Sequence, residues 1–182
     1  LKYPKKIIDK AKQITVLLLD IDGVFTDGRL VYGEHGETLK QFSVLDGQGL
    51  KFLQDIGIEI TIISGRSGMS TQKRLSDLGM KNVFLGISDK LVVAQKFLDE
   101  NNYAWTEVCC MGDDWADLQI LSHSQLSCAP ANAHLEVKAR VDWVASQRGG
   151  EGALRELCDL ILTAKGKYKD LLSVALGLNK AT

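Results

Sequence analysis

The chain is short of the features that would assign it to most specialised classes. Its four cysteines, Cys109, Cys110, Cys128 and Cys158, make no CxxC pair, and its three histidines are scattered. Neither a disulfide framework nor a zinc site is indicated, and buried, reduced thiols are expected instead. The formal net charge is only −1, so no basic field points to nucleic acid or to an anionic membrane. No apolar run approaches the ~20 residues that cross a bilayer. The opening segment LKYPKKIIDKAKQ is basic but lacks the apolar stretch of a secretory signal, so a cytoplasmic protein is expected. Repeats, low-complexity tracts and linkers are missing as well. What remains is 182 residues, 45% hydrophobic and 25% charged. That composition and length suit one soluble globular domain, taken as residues 1–182.

Strand-like apolar runs alternate with helical patterns along the chain. ITVLLLD (14–20) is continuous and apolar and ends in an acid, as a parallel strand buried on both faces would be. IEITIIS (58–64), KNVFLG (81–86) and EVCCMGDD (107–114) are similar, and QLSCA (125–129) and VDWVA (141–145) read as short further strands. Helices are expected over 67–79, over 88–102 with Ser88 as the N-cap, and over 152–166, where residues 154, 157, 161 and 162 are apolar. The pattern is that of an α/β fold with a mainly parallel central sheet. One segment breaks the rhythm. RLVYGEHGETLKQFSV (29–44) reads as a β-hairpin inserted after the first strand, with Leu30, Tyr32, Leu39 and Phe42 as its apolar face. RGGEG (148–152) reads either as a plain turn into the last helix or as an edge of the active site.

The chemistry lies where these strands end, which is where open α/β sheets bind ligands. The first strand ends at Asp20, with Asp22 two residues on. The strand at 58–64 ends at Ser64, followed by Arg66, and Lys90 opens the helix after the next strand. The strand at 107–114 delivers Asp113 and Asp114, with Asp117 close behind. Ionised aspartates beside an apolar run are costly unless something compensates them. Carboxylates from separate strands make an oxygen-only site for Mg²⁺, which can bridge to a substrate phosphate. With the metal bound, one carboxylate can act as nucleophile, while Ser64 and Lys90 stabilise the phosphoryl oxygens. Taken singly, each residue has a bland reading: an acid pair, a strand-end cap, a solvated lysine. Their order together favours phosphoryl transfer.

DIDGVFTDG (20–28), ISGR (63–66), Lys90 and GDDWAD (112–117) resemble the four motifs of the haloacid dehalogenase superfamily. The resemblance implies a single Rossmann-like domain with Asp20 as nucleophile, forming an aspartyl-phosphate. It implies that Asp22 protonates the leaving alcohol and later activates water, with Ser64 and Lys90 assisting. Mg²⁺ would be held by Asp20, the backbone carbonyl of Asp22, and Asp113, with Asp114 or Asp117 orienting the metal's waters or Lys90. Only 43 residues lie between Asp20 and Ser64, and 25 between Ser64 and Lys90, so no cap domain is implied.

Including FSVLDGQGLK (42–51) and the segment 149–167, the chain is similar nearly throughout to the family of 3-deoxy-D-manno-octulosonate 8-phosphate phosphatases. These act in lipopolysaccharide precursor synthesis, and in them four hairpins assemble a homotetramer. The resemblance places an acidic sugar phosphate against Ser43, Val44, Leu45, Asp46, Gly47 and Lys51, with Arg66, Arg74 and Lys90 near its charged groups and Asp22 at the reacting oxygen. Arg74 has a bland reading as a surface pair with Asp77. The family commonly reads VRDG where this chain has Val44-Leu45-Asp46-Gly47, which bears on the sugar more than on the chemistry. A phosphatase of a nine-carbon sialic-acid-type 9-phosphate is the alternative. A phospho-receiver signalling domain also uses acids, a hydroxyl and a lysine, but it places its acceptor aspartate on a later strand than this chain does.

Overall fold

Four consecutive apolar residues, Val16 to Leu19, form the middle of the sheet in the computed structural model, which describes residues 3–178. In chain order the elements are α1 (Lys5–Ala11), β1 (Val16–Leu19), β2 (Val31–Gly33), β3 (Gly36–Leu39), α2 (Val44–Asp55), β4 (Glu59–Ser64), α3 (Met69–Asp77) and β5 (Asn82–Leu85). There follow α4 (Lys90–Glu100), β6 (Val108–Met111), α5 (Leu118–His123), β7 (Leu126–Ala129), α6 (Leu135–Lys138), β8 (Trp143–Val144), α7 (Ala153–Ala164) and α8 (Tyr168–Ala175). The central sheet runs β5-β4-β1-β6-β7-β8, and every neighbouring pair is parallel.

Side chains of a strand alternate between faces, and β1 divides the core accordingly. Leu17 and Leu19 pack with Ile7 of α1, Leu50 and Leu53 of α2, and Leu157 and Ile161 of α7. Val16 and Leu18 pack with Ala94 and Phe97 of α4, Ile120 of α5 and Val137 of α6. Each fully buried leucine stabilises the fold by roughly 1.5–3 kcal/mol. β1 is therefore a rigid mount, held on both faces. All four cysteines are buried and free. Among the described residues, no helix is long and apolar enough to cross a membrane.

Several local expectations shift. α4 is capped by Asp89, whose carboxylate accepts from the Val92 amide at 3.1 Å, and not by Ser88. Asp serves at an N-cap as well as Ser does, and it adds charge at the positive end of the helix. The hairpin contracts to 31–39, because Ser43 already caps α2 by accepting from the Asp46 amide. Phe42 leaves the hairpin's apolar face and packs edge-on against Phe25, with ring centres 5.2 Å apart. Tyr32 leaves it as well. A register shift between Val31 and Tyr32 sets Val31 opposite Leu39, and Tyr32 opposite Glu37. Arg74 makes no pair with Asp77, which is taken by Lys73 at 2.9 Å. Beyond Gly166, in left-handed backbone at φ +72°, the chain forms α8.

Candidate active site

Strand order reverses across β1, which has β4 on one side and β6 on the other. Such a switch point opens a crevice at the carboxyl ends of the strands. Leu19 is in register with Ile62 and with Met111. Ser64 and Asp113 thus stand two residues beyond those partners, flanking the segment that carries Asp20 and Asp22.

Asp20 is buried, and so is Lys90, whose ammonium donates to Asp20 Oδ1 at 2.7 Å and to Asp117 Oδ1 at 2.6 Å. The other Asp117 oxygen accepts from the amides of Asp113 (3.0 Å) and Asp114 (3.2 Å). Of the two acids proposed to orient the site, Asp117 is the one set against Lys90. Asp114 is exposed and caps the short 3-10 turn Trp115–Asp117 by accepting from the Trp115 amide. Gly112 makes this possible, because a Cβ there would lie 2.4 Å from the Asp117 side chain. Gly23 does the same for Asp113: its backbone is left-handed at φ +92°, and a Cβ would fall 2.0 Å from Asp113 Oδ2.

Oxygens of Asp20, Asp113 and Asp117 lie within 4.8 Å of one another. One ammonium cannot balance three carboxylates at that spacing. In the protein alone, burial pushes the Asp113 carboxyl up to about 8, with Asp20 and Asp117 adding to the shift. Burial and the Asp117 charge push Asp20 up to about 6 against the pull of Lys90. Burial alone would lower the Lys90 ammonium, but its two carboxylate partners outweigh it and hold it above its ordinary value. Among the described residues, no hydrogen bond reaches the Asp113 carboxylate. An all-oxygen donor set with excess negative charge fits a hard divalent cation.

The turn that carries Asp22 is tied from several sides. The carbonyl of Ile21 accepts from the amides of Phe25 and Thr26, and the Thr26 hydroxyl accepts from those of Gly23 and Gly28. RGGEG packs onto this turn and forms an edge of the site. The Gly150 amide donates to the Val24 carbonyl at 3.1 Å, and a Cβ on Gly149 would lie 1.8 Å from the Gly23 oxygen.

Sequence reasoning missed what holds Asp22 itself. Lys40, at the end of the hairpin and with a side chain only 3% exposed, forms an ion pair with Asp22 Oδ1. Glu37 accepts from Arg66 at 2.8 Å and lies 3.3 Å from Lys40. The Tyr32 hydroxyl is 3.4 Å from Arg66 Nη2, and Arg66 Nε is 3.9 Å from Asp22 Oδ2. The Arg66 hydrogen bond holds the Glu37 carboxyl below its ordinary value. The only signal for this in the sequence was two charges, Glu37 and Lys40, inside a segment read for its apolar residues.

The residues expected around the sugar divide. Ser64 is buried at the end of β4. Val44 and Leu45 are exposed on the first turn of α2, and Lys51 is exposed two turns on. Gly47 lies under the Arg74 guanidinium, and Arg74 Nε is buried without a partner. Asp46 is wholly buried and faces the other way, accepting from the Arg155 amide at the start of α7 at 2.8 Å. It supplies the side-chain cap that Gly152 cannot.

Known proteins resemble this chain in sequence and in fold. A family model of haloacid dehalogenase-like hydrolases matches residues 86–157. The chain is 40% identical to the Escherichia coli K12 3-deoxy-D-manno-octulosonate 8-phosphate phosphatase KdsC over 164 residues, covering 90% of this chain and 87% of that one. The Moraxella catarrhalis phosphatase of the same name was solved in complex with magnesium, phosphate and KDO. It superposes with a TM-score of 0.92 at 31% identity, covering 95% of this chain and 99% of that one. The cobalt-bound Haemophilus influenzae phosphatase YrbI superposes with a TM-score of 0.88 at 37% identity, covering 93% and 99%.

Proposed function

Because the chain belongs to the haloacid dehalogenase-like hydrolases, and among them to the 3-deoxy-D-manno-octulosonate 8-phosphate phosphatases, we propose that it hydrolyses this eight-carbon sugar acid phosphate for lipopolysaccharide precursor synthesis. One observation carries the reading: Asp20, Asp113 and Asp117 gather with Lys90 at the carboxyl end of β1. An Asp20 oxygen attacks phosphorus as the bond to the sugar oxygen breaks, and that oxygen takes a proton from Asp22. The product on the protein is an aspartyl-phosphate. Water then attacks the same phosphorus and gives its proton back to Asp22, releasing phosphate and restoring Asp20. The Ser64 hydroxyl donates to a phosphoryl oxygen, and Lys90, held by Asp117, places positive charge where negative charge gathers. Asp20, Asp113 and the backbone carbonyl of Asp22 would hold Mg²⁺, which supplies the charge that lets a carboxylate approach a phosphate dianion.

On the sugar side, Ser43, Val44, Leu45, Gly47 and Lys51 present the start of α2, while Arg66 and Arg74 supply positive charge for the substrate's carboxylate and phosphate. Asp46 contributes there by fixing α2 against α7. The hairpin leaves Leu30, Val31 and Leu39 exposed, outside the central sheet. Closed pairing between copies would cover that face. It supports a homotetramer in which hairpins form the interface.

The deciding experiment measures phosphate release from the eight-carbon 8-phosphate and from a nine-carbon sialic-acid-type 9-phosphate, with Mg²⁺ and after chelation. The expected result is higher kcat/KM for the eight-carbon substrate, activity abolished by chelation and restored by Mg²⁺. Preference for the nine-carbon substrate would reassign the sugar. A single stable phosphorylation without turnover would replace the enzyme with a receiver-like module.

A further inference from the structure

We propose that Glu37 is a built-in substitute for the substrate's carboxylate, holding Arg66 until an acidic sugar takes its place. This rests on the reading above, in which the substrate carries a carboxylate as well as a phosphate. Arg66 leaves the end of β4 with its side chain 42% exposed, yet its guanidinium is already paired with Glu37 at 2.8 Å. Planar, forked guanidinium is well suited to bind a carboxylate, and Glu37 presents that same group.

Glu37 masks the charge of Arg66 at 2.8 Å, with Asp22 3.9 Å from the same guanidinium, so an incoming carboxylate finds little free positive charge while Glu37 holds its place. Of the two carboxylates, Asp22 sits on the turn anchored beneath β1, whereas Glu37 sits on a two-stranded hairpin separate from the central sheet. The Glu37 carboxylate ends a flexible three-torsion side chain, so it is the one that can yield by changing rotamer while the hairpin stays in place. It also has somewhere to go. Lys40, 3.3 Å away and buried, remains as its partner once Arg66 is released. A substrate carboxylate therefore exchanges for an existing one, and no charge is stranded. A neutral sugar phosphate brings no replacement and leaves Glu37 in place. Glu37 is then a specificity-determining residue that never touches the reacting atoms.

The test is Glu37→Gln, assayed with the eight-carbon acid phosphate and with a neutral hexose 6-phosphate, alongside calorimetric binding of the free sugar acid. KM for the acid phosphate should fall roughly three- to tenfold, while kcat and the KM for the hexose phosphate stay within about twofold. The free acid should bind more tightly by a similar factor. Glu37→Asp keeps the charge but withdraws it by one methylene, and it should give part of the same fall without risk to the fold. A rise in KM for the acid phosphate, or an equal fall for both substrates, would overturn the exchange. Tighter binding of the free acid without hydrolysis of its phosphate would support the exchange while refuting the substrate reading. Unchanged binding with normal hydrolysis would do the opposite.

Discussion

Two clusters of opposed charge stand at the end of β1, and they are built differently. Lys90 with Asp20 and Asp117 is almost sealed, its side chains 6%, 8% and 1% exposed, and it is mounted on elements of the central sheet and on α4. Lys40 with Asp22, Glu37 and Arg66 joins the sheet to the hairpin, and Arg66 opens to solvent. Breaking one partner of a buried pair costs about 3–5 kcal/mol, whereas exposed pairs contribute about 1 kcal/mol or less. The sealed cluster keeps fixed geometry, which in-line attack on phosphorus requires. The open cluster can rearrange, which recognition of one sugar among several requires.

The sharpest break of this comparison is at Asp20. Asp20→Asn keeps the shape and the contact with Lys90 but removes the attacking charge and a metal ligand. Steady-state phosphate release should fall by about 10³-fold or more for every substrate, including a small aryl phosphate. A near-normal rate would end the covalent mechanism and reduce the sealed cluster to scaffolding.

The open cluster should fail more gently and more selectively. Replacing residues 31–39 with a short Gly/Ser linker removes Glu37 and the Val31–Leu39 face but keeps Lys40 and the Phe42–Phe25 contact. Activity on the sugar acid phosphate should drop by roughly one to two orders of magnitude, with slow hydrolysis of an aryl phosphate retained. Light scattering should report the parent as the proposed tetramer and the variant as a smaller species. An intact parent that scatters as a monomer with full activity on the sugar phosphate would refute both the interface and its role in specificity.

The two clusters were unequally legible. Asp20, Ser64 and Asp113 stand at or just beyond the ends of continuous apolar runs, with Lys90 opening the helix after another, and an acid at the end of a doubly buried strand is an anomaly visible without coordinates. The open cluster gave no such sign. Tyr32 looked apolar-facing by alternation from Leu30, but the register shift after Val31 turns it with Glu37 toward Arg66. Lys40 is buried because Asp22, from the turn after β1, meets it beside its near neighbour Glu37, and no local pattern encodes the contact with Asp22. The choice between Asp114 and Asp117 was open for the same reason, since both follow Gly112 at short range and only packing buries one. Asp46 shows the limit most clearly. The resemblance of the stretch Ser43 to Gly47 placed it with the sugar, while the helix turns its carboxylate to α7.

That placement supports the smallest prediction, which asks on which side of the comparison Asp46 belongs. As a cap for α7, its loss leaves the half-buried Arg155 amide without an acceptor. Asp46→Ala should therefore lower stability by about 1–2 kcal/mol, a fall in Tm of roughly 3–6 °C, with KM for the sugar phosphate little changed. Asp46→Asn keeps an acceptor and isolates the charge. Burial holds the Asp46 carboxyl above its ordinary 3.8, although the Arg155 and Gly152 amides pull the other way, and its second oxygen is buried without a partner. A carboxyl raised in the folded state contributes stability that is fully present below its unfolded value and is lost as pH rises through its folded value. The parent should thus lose ground to Asp46→Asn as pH rises, with nearly equal Tm values at about pH 4 and a higher Tm for the variant near pH 7. A gap that is constant across this range would mean that the buried carboxyl carries no such cost. An Asp46→Ala variant that kept its Tm but lost affinity for the sugar would move Asp46 from the scaffold to the substrate.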